Sequence, residues 1–165
     1  MTSPTDRSPA AAGTADGASV ELTIVGRDGA SLSRSDLESL PTTTRDCTLV
    51  CATGTRSTAT WTGARVSDLL SRVTVPPDTT HLLLTSDDGY RACVGVASAL
   101  EGLVAVERDG ERLASVERYG SRFVSPDVGG ERWVKGVSGI ETVALTPGED
   151  PTELEALSLD DPEYD

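Results

Sequence analysis

The chain has 165 residues, with 27 acids against 14 bases and a formal net charge of −13. Such an acid excess repels phosphate, which argues against nucleic acid or an anionic membrane surface as partner unless the few bases cluster. The length suits one domain that buries about two thirds of its unfolded surface, and no apolar run approaches the roughly 18 residues that a membrane-spanning helix needs.

Residues 1–17 are rich in Pro, Ala, Ser and Thr, poor in bulky apolar side chains, and lack the basic flank and apolar core of an export signal. They are expected to be a disordered leader on a soluble, cytoplasmic protein. Scarce lysine (only Lys135) beside abundant Asp, Glu and Thr resembles a salt-adapted archaeal composition.

An ordered body is expected over 18–147. Val20, Leu22 and Ile24 alternate on one face of a first strand, and Gly26 to Gly29 supply a turn. Ser35-Asp36-Leu37-Glu38 has capping-box spacing ahead of Leu40, and Pro41 stops the helix. A strand ending Thr48-Leu49-Val50-Cys51 follows. Val66 to Val73 has helical spacing, closed by Pro76-Pro77. Leu82 to Thr85 and Tyr90 to Val96 flank an Asp88-Gly89 turn and form a hairpin. A helical turn over Ala97 to Gly102 precedes a short strand, Leu103 to Val106. The Asp109-Gly110 turn then leads to Glu111 to Ser115, and the last strands are Arg122 to Ser125 and Trp133 to Leu145. Short strands with few short helices, and no regular βαβ alternation, predict an α+β, strand-rich fold. From Gly148 to Asp165 there are eight acids and no base, so 148–165 is expected to be an acidic, disordered tail whose leucines touch the body transiently.

Cys51 ends an apolar strand and opens a polar loop containing Gly54 and Arg56. A neighbouring guanidinium favours the thiolate, the form that binds a thiophilic metal, whereas most free cysteines are simply buried. Both readings stay open on these residues alone. Cys47 is a poor partner for Cys51, because four extended residues span about 13 Å; it and Cys93 are expected in the core. With His81 as the only histidine, multi-histidine zinc sites and His-based triads have little to draw on.

Cys51 to Gly63 reads Cys-Ala-Thr-Gly-Thr-Arg-Ser-Thr-Ala-Thr-Trp-Thr-Gly, with Leu69-Leu70 beyond it. This resembles the molybdenum-ligating segment of the sulfite oxidase family of molybdopterin enzymes. Ser86-Asp87-Asp88-Gly89-Tyr90, Asp109-Gly110-Glu111-Arg112-Leu113, Arg122-Phe123-Val124-Ser125-Pro126 and Val134-Lys135-Gly136-Val137 resemble further segments of that family, in its order. The resemblance spans Val20 to Glu141. Two departures are visible: Glu117-Arg118-Tyr119-Gly120 stands where the family has His-Gly-x-Pro, and Gly136 stands where it has Trp.

The resemblance implies a sulfite-oxidase-type fold of mixed sheets and a molybdenum–molybdopterin cofactor held through the Cys51 thiolate. It further implies oxygen-atom transfer on a small oxyanion or sulfoxide. Arg56 and Tyr90 would serve the reaction, while Asp88, Arg122, Arg132 and Lys135 would hold the cofactor. Partners would be the small-molecule substrate and an electron-transfer protein. The alternative is a noncatalytic molybdopterin-binding or protein-interaction module that keeps the fold, which the missing His-Gly-x-Pro favours.

Overall fold

The computed structural model describes residues 22–50, 54, 56–126 and 128–157. Two five-stranded sheets organise them. The first is mixed, in the order β2-β1-β10-β5-β6, and comprises β1 (Leu22–Val25), β2 (Gly29–Leu32), β5 (His81–Ser86), β6 (Arg91–Gly95) and β10 (Val137–Val143). Only β1 and β10 run parallel. The second sheet is antiparallel, in the order β3-β4-β7-β8, with β9 also paired to β7. Its strands are β3 (Thr42–Val50), β4 (Arg56–Arg65), β7 (Leu103–Arg108), β8 (Glu111–Arg112) and β9 (Arg122–Val124). Four short helices connect them: α1 (Arg34–Ser39), α2 (Val66–Leu70), α3 (Val96–Leu100) and α4 (Leu113–Val116). The predicted strand-rich α+β class is the one observed.

Alternation along β7 and β9 sets the positions of two cores. Val104 and Phe123 point into the larger one, with Leu22, Ile24, Leu82, Leu84, Tyr90 and Ile140. Leu103, Ala105 and Val124 point to the other face, where they meet Cys47, Trp61, Leu113 and Trp133. A strand buried on both faces reads as a continuous apolar run, which is why β7 begins Leu103-Val104-Ala105.

Several elements differ from their sequence signals. The cap of α1 is Ser33, whose Oγ accepts from Asp36 N at 3.1 Å while Asp36 Oδ2 accepts from Ser33 N at 2.9 Å. Asp36 thus closes the box that Ser35 and Glu38 were expected to form. The last strand starts at Val137 rather than Trp133, because Gly136 has φ +67° and breaks the extended run. Residues 111–115 divide between β8 and α4.

The largest departure is the expected solvated tail. Through Leu157 it docks on the body: Pro151–Leu154 is a 3-10 turn, Ala156 bridges to Arg91, and Leu157 packs on the larger core. The acid run misleads because one of its carboxylates, Glu155, meets a cation far away in sequence.

Candidate cofactor site

The β3–β4 hairpin is held by nine antiparallel residue pairs, Thr42↔Ala64 through Val50↔Arg56. Cross-strand hydroxyl contacts reinforce it, Thr44 to Thr62 at 2.9 Å and Thr48 to Thr58 at 2.7 Å. Such β-branched pairs suit a pleated surface. Cys51 follows Val50 directly in sequence and lies outside the described residues. Arg56 opens β4 and is exposed. Strand alternation puts it on the face opposite Ala59 and Trp61, so the structure does not bring Arg56 to the cluster described next.

That cluster alternates aromatic rings with cations. The buried rings of Trp61 and Trp133 meet edge to face, with centroids 5.9 Å apart and planes at 85°. Arg108 lies 5.8 Å from the Trp61 ring centre, Arg122 5.7 Å from that of Trp133, and Lys135 5.8 Å from that of Tyr119. A cation over a ring face gains from the ring quadrupole, more so when partly desolvated.

Arg122 is 5% exposed, and its Nε donates to the Trp133 carbonyl at 3.0 Å. A guanidinium this deep persists only with its donors engaged. Its backbone forms an antiparallel bridge with Lys135. Phe123 N donates to the Val134 carbonyl at 2.9 Å and Gly136 N to the Ser121 carbonyl at 2.7 Å, which locks β9 to the stretch before β10. Trp133 Nε1 donates to the Val128 carbonyl at 2.8 Å. Trp61 Nε1, by contrast, is a buried donor with no partner among the described residues.

The remaining expected site residues sit beside this cluster in other roles. The carboxylate of Asp88 accepts from Ser86 Oγ, and from Tyr90 N at 3.1 Å; the Ser86 bond holds it below the usual carboxylate range. It anchors the β5–β6 turn. Tyr90, expected at a cleft edge, is fully buried, and its hydroxyl donates to the Glu131 carbonyl at 2.5 Å. An aromatic at this alternating position of the hairpin belongs to the larger core.

Arg132, expected to grip a phosphate, is held by carboxylates instead. Its Nε and Nη2 donate to Glu155 Oε2 and Oε1 at 2.7 and 2.8 Å, and its Nη1 to Glu131 Oε2 at 3.0 Å. The Glu155 bonds push its pKa further up. Of the seven expected site residues, Arg122 and Lys135 come together. Arg108, Tyr119 and Glu155 were missed, since cation–ring and long-range ion pairs leave no local pattern.

A separate polar groove of about 330 Å³ lies among Thr43, Arg45, Arg65 and Ser67. It is at the open end of the β3–β4 hairpin, about 23 Å along β3 from Val50, and is not part of this cluster.

The family profile described as "Oxidoreductase molybdopterin binding domain" matches residues 10–148. The chain belongs to this family. The fold is similar to that in the crystal structure of the sulfane dehydrogenase SoxCD from Paracoccus pantotrophus. That chain matches with a TM-score of 0.70 and 21% identity over 79% of this chain and 39% of its own length. This chain therefore spans well under half of that neighbour. No curated protein gives a significant sequence match.

Members of this family bind molybdopterin, an anionic group with an aromatic ring system. The chemistry of the donor set here fits such a group. The backbones of Arg122 and Lys135, two cationic residues of an acid-rich chain, pair directly, and the Trp61 indole in the adjoining core has no acceptor among the described residues. Among the described residues, no helix is long and apolar enough to cross a membrane.

Proposed function

We propose that this molybdopterin-binding oxidoreductase domain holds molybdenum through the Cys51 thiolate and acts on a small oxyanion or sulfoxide. The observation that carries the reading is the Arg122–Lys135 bridge, which pairs the only lysine of the chain with a buried arginine. In an acid-rich protein, a half-buried lysine held in register by a buried arginine suits a bound anion better than a solvated surface.

Bound molybdopterin supplies the two-electron oxygen-atom chemistry, as cofactors generally carry the difficult step while the protein binds and orients. Lys135, partly exposed above Tyr119, would hold the cofactor's phosphate with its ammonium. Arg122 acts from beneath, fixing the Trp133 carbonyl and ring so that the segment carrying Lys135 keeps its place. Cys51, next in sequence after Val50, would ligate the metal. Arg56, at the head of β4, provides positive charge for an anionic substrate. Asp88 and Tyr90 hold the neighbouring turn and the Glu131 backbone in place rather than touching substrate. Electrons pass to a separate acceptor protein, and a salt-rich cytoplasm suits the acidic surface.

A noncatalytic cofactor-binding module is the second reading, favoured by Glu117-Arg118-Tyr119-Gly120 in place of His-Gly-x-Pro. Turnover of sulfite and of sulfoxides with artificial electron acceptors decides between them, using fully loaded protein beside Arg56→Met. Turnover with KM raised in Arg56→Met supports the enzyme. Loaded protein that turns over neither substrate class supports the module.

A further inference from the structure

We infer that Glu155 is a positioning residue for the segment Gly130–Lys135, delivered by a strap (residues 150–157) that lies beyond the residues the family profile matches. The family match ends at residue 148, yet the strap reaches back into the site region. Asp150 Oδ1 caps its 3-10 turn, accepting from Thr152 N at 2.9 Å and Thr152 Oγ1 at 2.7 Å. Ala156 then pairs with the outer edge of β6, through Arg91 N to Ala156 O at 3.0 Å and Ala156 N to Arg91 O at 2.9 Å. Leu157 packs against the larger core.

Between these anchors the Glu155 side chain is 4% exposed. Its two oxygens accept from Arg132 Nε and Nη2 and, at 2.8 Å, from Cys93 N on β6. A buried carboxylate is tolerated when forked onto a guanidinium and further bonded, and that geometry also fixes direction. Glu155 therefore staples β6 of the first sheet to the 3-10 turn at Gly130–Arg132. From that turn the constraint passes on. Arg132 N and Trp133 N donate back to Gly129 and Gly130 carbonyls, both at 3.0 Å. The Trp133 carbonyl takes the Arg122 Nε, and Lys135 bridges to Arg122. Glu155 touches neither Arg122 nor Lys135 but sets the stretch that presents them. Its link to molybdopterin rests on the reading that Lys135 and Arg122 serve the cofactor.

Two readouts on full-length protein test this: hydrogen exchange at the amides of Arg132, Trp133 and Gly136 relative to those of β5, and release of molybdopterin from loaded protein. Glu155→Gln keeps the shape and removes the charge. It is expected to speed exchange at the three amides by about tenfold relative to β5, and release by about tenfold, as Lys135→Ala does. Equal loss of protection everywhere, or a folded variant whose relative exchange and release match wild type, overturns the proposal. Should Glu155→Gln not fold, Glu155→Asp, which keeps the charge and shortens the reach, decides it. Intermediate exchange and release support the proposal, and wild-type values overturn it. Wild-type release from Lys135→Ala removes the cofactor reading by itself, while the three amides still report on Glu155.

Discussion

Arg122 and Lys135 face one another across an antiparallel bridge, and each lies over an aromatic ring, Trp133 and Tyr119 respectively. The two cations nevertheless differ in burial: Arg122 is 5% exposed with a bond to a backbone carbonyl, whereas Lys135 is half-buried. Their substitutions are expected to separate. Arg122→Met strips the Trp133 carbonyl of a charged donor and should destabilise by about 2–3 kcal/mol in urea unfolding. Lys135→Met should stay within about 1 kcal/mol of wild type and instead weaken molybdopterin binding. Equal stability losses in both would refute this division of roles.

Two glycines should respond differently to alanine. A Cβ on Gly63 would sit 2.1 Å from the Val104 carbonyl oxygen and 2.5 Å from Ala105 Cα, at the register shift between β4 and β7. Both obstacles are backbone, so Gly63→Ala should cost more than about 3 kcal/mol or prevent folding. At Gly136 the nearest atom is Tyr119 Cβ at 3.5 Å, an ordinary contact, and the cost comes from φ +67° alone. Gly136→Ala should therefore lose about 1–2 kcal/mol and stay folded. Thermal melts of the two variants read the contrast.

The same residues show how far the sequence could be read. Period-two alternation and the Asp88-Gly89 turn located β5 and β6, and Thr48-Leu49-Val50 located the end of β3, because both signals are local. Ordered short motifs pointed to the family. The roles of Tyr90 and Asp88 came from the resemblance alone; the structure adds that Tyr90 is buried in the larger core and that Asp88, two residues from the Tyr90 N–H it accepts from, forms the turn. Arg132 and the strap were not legible at all. Their meaning lies in a pairing across 23 residues, and an acid run has no local mark that distinguishes the one carboxylate that is buried.

Burial raises the thiol pKa values of Cys47 and Cys93, with the Glu155 charge adding to the rise at Cys93. A thiol whose folded pKa is raised binds its proton more tightly folded than unfolded. Its contribution is therefore fully present below the unfolded value of about 8.5 and is lost as pH rises through the folded one. The urea midpoint should hold steady up to about pH 8 and fall beyond it, with a shallower fall in Cys47→Ala. A midpoint that rises between pH 8 and 10 would contradict the burial of these thiols.

With a formal charge of −13, like-charge repulsion opposes the compact state and salt screens it. The thermal midpoint should climb as KCl is raised from dilute to molar. An unchanged midpoint would mean that the acids are locally balanced and that the composition carries no salt requirement.

The central claim is that Cys51 ties molybdenum to this domain, and the molybdenum-to-protein ratio after expression in a cofactor-competent host tests it most directly, with Cys51→Ser purified in parallel. Near-stoichiometric metal in the wild type and its loss from a folded Cys51→Ser is the predicted result. Equal molybdenum in both proteins, or none in a folded wild type, would contradict it.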